Sequence, residues 1–146
     1  MGSGEVKKRL GLLFLSINLI FFVVACSEKS ATNEPAYIAK ASDFEDSGFT
    51  SRSNQLIVVI GNELMISAYY GHSKEKSSID KILELENVKP DVRFKKFYQN
   101  VQVKTKGDIY YITADDGVSL EFEKIGERII VDEEGMEYYT QEYSKE

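Results

Sequence analysis

The residue pattern predicts an all-β fold: an antiparallel meander of about seven or eight strands forming a small barrel or curled sandwich, behind an apolar N-terminal segment. Three observations carry this. Leu56-Ile57-Val58-Val59-Ile60 is an apolar, β-branched run of the kind found in buried strands. Val118, Leu120 and Phe122 alternate with Ser119, Glu121 and Glu123, the period of a strand with one face in a core and one in water. Short turns, many of them containing Gly, separate such runs along the second half of the chain.

Taken in order, Tyr37 to Gln55 mixes aromatic residues with acids; Gly48 suggests a turn, a first short strand is expected near Phe49, and Phe44 and Phe49 cover one end of the core. Leu56–Ile60 and Glu63–Tyr70 form a hairpin about Gly61-Asn62. Gly71 to Ser78 is a polar loop. Ser78 to Glu86 fits either pattern: Ile79, Ile82, Leu83 and Glu86 have helical spacing, whereas Leu83 and Leu85 alternate. The run is short and its neighbours are all β, so a strand is expected there. Pro90 ends that element. Phe94–Tyr98 then leads into Val101–Lys106, which alternates strictly. Gly107-Asp108, Asp116-Gly117, Gly126-Glu127 and Asp132–Gly135 mark the remaining turns, between Ile109–Thr113, Val118–Glu123, Arg128–Val131 and Met136–Thr140. The charged tail beyond Gln141 is expected to fray. Closure into a barrel would bury one face of each strand and hide the sheet edges.

The N-terminus has a different chemistry. Lys7-Lys8-Arg9 precedes a run of 16 residues from Leu10 to Ala25, interrupted by Ser16 and Asn18. At about 1.5 Å per residue a helix of that length falls short of a ~30 Å hydrocarbon core. A basic start, an apolar run and a small residue before a cleavage point describe a secretory signal peptide. The run ends in Val23-Val24-Ala25-Cys26. This resembles the lipobox of bacterial lipoproteins, over roughly the first 26 residues. The resemblance implies that Cys26 receives a diacylglyceryl group, that the Ala25–Cys26 bond is cut, and that a further acyl chain such as palmitate completes the anchor. It also places the chain on the outer face of a cell membrane, or on an outer membrane in a Gram-negative host. Met1-Gly2 opens like an N-myristoylation signal, but Val6 stands where Ser or Thr is required.

On this reading residues 1–25 are the signal peptide, 26–36 a polar tether, and 37–146 a single β-barrel-like domain. Removing the signal takes away a net +2, so the mature chain moves from −6 to −8. That balance argues against nucleic acid as a partner. Cys26 is the sole cysteine, so no disulfide is available and the core must hold the domain together. Nine Tyr and eight Phe supply the rings for it.

The stretch Leu120–Tyr139 is similar to the last hairpin of small lipocalin-like β-barrel lipoproteins of Gram-positive bacteria: an aromatic-Xaa-basic strand, a Gly turn, an apolar strand, an acidic Gly turn and a final Tyr. The lipocalin Gly-Xaa-Trp signature is absent, because the chain has no Trp. The resemblance implies a barrel whose interior could carry a small apolar ligand.

No catalytic or metal-binding constellation emerges. His72 is the sole histidine, without a second ligand or a marked nucleophile beside it. The acidic turns Asp115-Asp116-Gly117 and Asp132-Glu133-Glu134-Gly135 lack the spaced ligands and distal Glu of a calcium loop. Charge, however, is segregated. Lys89 to Lys106 carries a net +5, and Gly107 to Glu146 a net −9. Arg93, Lys95, Lys96, Lys104 and Lys106 could meet an anionic surface; equally, basic and acidic strands could attract one another across the sheet.

The expected function is that of a non-enzymatic, cofactor-free envelope lipoprotein. Cys26 ties it to the membrane, and its β domain binds an envelope protein, a wall polymer or a small ligand. A lipocalin-like carrier and a bacteriocin immunity or self-protection lipoprotein are the alternatives.

Overall fold

The structure, a computed structural model, describes residues 36–45, 47–71 and 74–140. All of them belong to one unit, Glu34–Glu146. The lipobox with Cys26, the signal peptide, the tether before residue 36, His72 and the tail after residue 140 lie outside the described residues.

The unit is built from nine strands: β1 (Gly48–Ser51), β2 (Leu56–Ile60), β3 (Glu63–Tyr69), β4 (Arg93–Gln99), β5 (Gln102–Lys106), β6 (Ile109–Thr113), β7 (Ser119–Gly126), β8 (Ile129–Asp132) and β9 (Glu137–Thr140). They form one curled antiparallel sheet in the order β4-β3-β2-β1-β9-β8-β7-β6-β5. Eight strands run from Leu56 onward, and the ninth is the short strand at Phe49. Pairing of β1 with β9 joins the first strand to the last.

Period-two alternation sorts the faces. Phe49, Ile57 and Ile66 stand in one cross-strand row, and Val103, Ile112 and Leu120 in another, all on the inner side. Large side chains fill the middle of the curl. Phe44 meets Phe49 and Tyr110 ring to ring at 4.7 and 5.2 Å, and Phe122 packs edge-on against Tyr138 at 5.4 Å. Burying a side chain of this size contributes about 1.5–3 kcal/mol, and aromatic pairing adds up to about 1.5.

Residues 78–86 do not form a strand. Ser78–Leu85 is an α-helix, α1, and both of its ends are specified locally. The Ser77 hydroxyl accepts the Asp80 N–H at 3.1 Å, while the Asp80 carboxylate accepts the Ser77 N–H at 2.9 Å, a reciprocal cap. At the other end Asn87 takes φ +56°, Val88 donates to the Leu83 carbonyl, and Asn87 to that of Glu84. This is the Schellman termination with Asn in the left-handed position. Ile79, Ile82 and Leu83 enter the core, so the helical spacing outweighs the Leu83/Leu85 alternation. Leu85, 79 % exposed, contributes nothing to the core.

The N-terminus of α1 is tied to the β8–β9 turn through Asp132, which is buried. Its carboxylate accepts N–H groups from Ser78 at 2.7 Å, Met136 at 2.8 Å and Glu134 at 3.0 Å. Tyr138 donates its hydroxyl to Gln55 at 2.8 Å, and Gln55 donates onward to Asp80 at 3.1 Å. Burial, then the charge of Asp132, pushes the Tyr138 hydroxyl well above its ordinary pKa.

The sheet does not close. β4 and β5 follow one another in the chain, yet they are the two ends of the ladder. Eight antiparallel steps separate them, so they run in the same direction. Together they make one long strand, bent at Asn100-Val101, whose first half pairs with β3 and whose second half pairs with β6. Asn100 makes the bend with φ +57°, a conformation that Asn adopts more readily than most residues. Its side chain accepts from Asn62 at 3.1 Å and donates to Asp115 at 2.8 Å.

Candidate functional site

The basic run predicted from sequence coincides with this bent strand. In a strand, neighbouring residues face opposite ways, and the β3–β4 register fixes which way. Lys96 lies opposite Ile66 and continues the inward row from Phe49 and Ile57. Arg93, Lys95, Phe97 and Gln99 therefore face outward. The bend at Asn100-Val101 shifts the alternation by one residue, as a bulge does. Val103 thus points to the core with Ile112, and Gln102, Lys104 and Lys106 face outward beside Thr113, Tyr111 and Ile109. The outcome is a continuous exposed stripe of seven side chains: Arg93, Lys95, Phe97, Gln99, Gln102, Lys104 and Lys106.

Lys96 is not part of it. Its ammonium group donates to Glu86, the residue that caps α1, at 2.6 Å, lies 3.0 Å from the Asp116 carboxylate, and sits 4.7 Å from the Tyr98 ring centroid. The hydrogen bonds to Glu86 and Asp116 hold its pKa above the ordinary lysine value. Burial, then the charge of Glu86, pushes the adjacent Tyr98 hydroxyl up to about 12. Lys96 thus joins β4, α1 and the β6–β7 connection.

The other four cations differ. Ion pairs of the described residues include Lys81–Glu134, Lys96–Glu86, Lys96–Asp116 and Lys124–Asp43. Arg93, Lys95, Lys104 and Lys106 have no carboxylate partner among the described residues. Mutual attraction of basic and acidic strands does not account for them either. Lys104 and Glu121 lie on opposite sides of Tyr111, with β6 between β5 and β7.

Apolar side chains border the stripe. Phe97 is 45 % exposed and stands in an outward row with Met65 and Val58; the Lys95 ammonium lies 5.5 Å from its ring centroid. Ile60, 54 % exposed, belongs to the same face of β2. Sequence reasoning finds the cations but misses Phe97, whose place among them depends on the strand register.

One further charged cluster is internal. Asp43 accepts from Tyr110 at 2.5 Å and from Lys124 at 2.8 Å, and Lys40 donates its N–H at 3.0 Å. Burial raises the Asp43 pKa, but the bonds from Lys124, Tyr110 and Lys40 outweigh it and leave the group below its ordinary value. The cluster fastens the short 3-10 turn Ala41–Phe44 to β6 and β7. The acidic turns are likewise used internally. Asp132 binds backbone N–H groups, while Asp115 and Asp116 receive Asn100 and Lys96.

No protein-family model matches the chain, and neither a curated protein nor a solved structure is significantly similar to it.

Proposed function

We propose that the chain is a lipid-tethered envelope lipoprotein, non-enzymatic, whose β domain acts as a binding module for an anionic partner at the cell surface. The observation that carries the binding half of this reading is the exposed stripe on β4 and β5. It gathers four cations without carboxylate partners among the described residues on one line of a protein whose overall charge is −6. Such solvated cations are free to exchange water and counterions for an anionic surface without first breaking an internal pair. The tethering half rests on the resemblance of Val23-Val24-Ala25-Cys26 to a lipobox. Two or more acyl chains on Cys26 would hold the domain stably at a bilayer, where one chain holds it only marginally. The filled interior favours an interaction surface over a carrier, because the space a lipocalin-like ligand would occupy is taken by Phe44, Phe49, Tyr110, Phe122 and Tyr138.

Mass spectrometry of the protein recovered from membranes tests the anchor. The expected chain begins at an acylated Cys26, and Cys26→Ala is expected to leave the membrane fraction. An unmodified thiol on a chain that still begins at Met1 would overturn the reading.

A further inference from the structure

We infer that the outer face of the bent strand β4–β5 is a membrane-contact surface, and that its occupant is the anionic phospholipid headgroup layer of the bilayer carrying the anchor. The inference rests on the tethered reading for the identity of that bilayer, and on three features of the face itself.

The first is charge complementarity. Arg93, Lys95, Lys104 and Lys106 all face outward and none is neutralised by a carboxylate of the described residues. Each such cation near an anionic leaflet strengthens partitioning roughly fivefold.

The second is the position of Phe97. It lies between Lys95 and Lys104 along the stripe, with Met65 and Val58 in its row and exposed Ile60 on the same face. A soluble polyanion would engage the cations and leave this ring in water. At a bilayer, cations reach the phosphates while an aromatic side chain settles at the boundary with the acyl chains, the arrangement of interfacial anchors.

The third is polarity across the sheet. The same outward face becomes acidic at Glu121 and Glu123 on β7 and remains so at Glu137 on β9. An anionic surface therefore attracts one margin of the domain and repels the other. The tether expected from the sequence would by itself set the distance of the domain from the bilayer but not its orientation. The stripe supplies the orientation, holding β4–β5 against the headgroups and turning β7–β9 outward.

The chain contains no Trp, so a single Phe97→Trp substitution places one indole in an otherwise silent background. The full chain is reconstituted through its own anchor into vesicles with or without an anionic phospholipid, and Leu85→Trp on α1 serves as the comparison. The expected result for Phe97→Trp is a blue-shifted indole emission, quenched by brominated acyl chains, in anionic vesicles alone. It is reversed by salt as screening shortens the electrostatic range. Adding the triple change Lys95→Glu, Lys104→Glu and Lys106→Glu should abolish the shift, while the indole of Leu85→Trp stays solvent-exposed throughout. Identical spectra of Phe97→Trp in the two vesicle types would overturn the inference. So would a shift produced by a soluble polyanion and not by anionic vesicles. Loss of the anchor is read separately, as protein that fails to float with either vesicle, so the two failures are distinguishable.

Discussion

Two polar regions of this domain are put to opposite uses. Around Asp132 the charge is buried and engaged: one carboxylate receives three backbone N–H groups and ties α1 to the β8–β9 turn. Along the outer face of β4–β5, four cations stand in water without a carboxylate partner among the described residues. Low dielectric and the backbone N–H groups that depend on one carboxylate make the first region costly to disturb. Solvent screening makes the second nearly irrelevant to stability, and so available for binding. Lys95 and Lys96 show the contrast at single-residue scale. They are adjacent in sequence and opposite in direction, one beside an exposed ring and the other bound to Glu86 and Asp116.

The sharpest way to break this comparison is Asp132→Ala. Three N–H groups lose their acceptor, those of Ser78 and Met136 in a buried setting and that of Glu134 in a half-buried one, at about 1–3 kcal/mol for each unsatisfied group that water cannot reach. A loss of about 3 kcal/mol or more in urea unfolding is expected; a loss below about 1 would mean that the network does not hold the helix. Next in size is Asn100→Val, which puts a β-branched residue at φ +57° and removes the links to Asn62 and Asp115. The left-handed backbone alone costs such a residue about 1–2 kcal/mol. The same denaturation curves measure it, and Asn100→Gly should lose less.

Third is the acid response of the Asp43 cluster. Its carboxyl has a lower pKa folded than unfolded, so its contribution is fully present above the unfolded carboxylate value near about 4 and fades as pH falls through the lower folded value. Asp43→Asn should remove that part of the pH dependence. The melting temperature of the variant should then fall less than that of the parent as pH is taken from about 6 to about 3. The smallest effect is expected on the stripe. Lys95→Glu and Lys104→Glu should leave the unfolding midpoint within error of the parent, whereas Lys96→Met should lower it. Equal sensitivity at positions 95 and 96 would erase the distinction between a surface for binding and a joint within the fold.

Much of this architecture is written in local pattern. The β2–β3 hairpin is plain from Leu56–Ile60, Gly61-Asn62 and the run that follows, because strand propensity and turn chemistry agree there. Residues 78–86 fit both spacings because so short a run spans only about two turns, and the all-β neighbours tip the expectation to a strand. The decisive signals lie at the ends, in Ser77-Xaa-Xaa-Asp80 and Asn87. The alternation fits a small barrel or a curled sandwich, and the curled sheet agrees; that its two ends belong to one bent strand is not legible, since nothing in the pattern of 94–106 announces that Asn100 shifts the phase. The five candidate cations are legible as a charge run, yet charge has no direction. Only pairing with β3 and β6 separates Lys96 from the four that face water.

The single-residue phase shift at the bend has a consequence for how the chain could vary. Straightening the corner without changing its length would turn every later side chain of that strand inside out, sending Lys104 and Lys106 toward the aromatic interior and Val103 into solvent, whereas deleting Asn100 would leave an unbroken pleat with Lys104 and Lys106 still outward. The one extra residue must therefore be taken up by the bend, and the corner acts as a parity lock on which chemistry the domain shows to the outside.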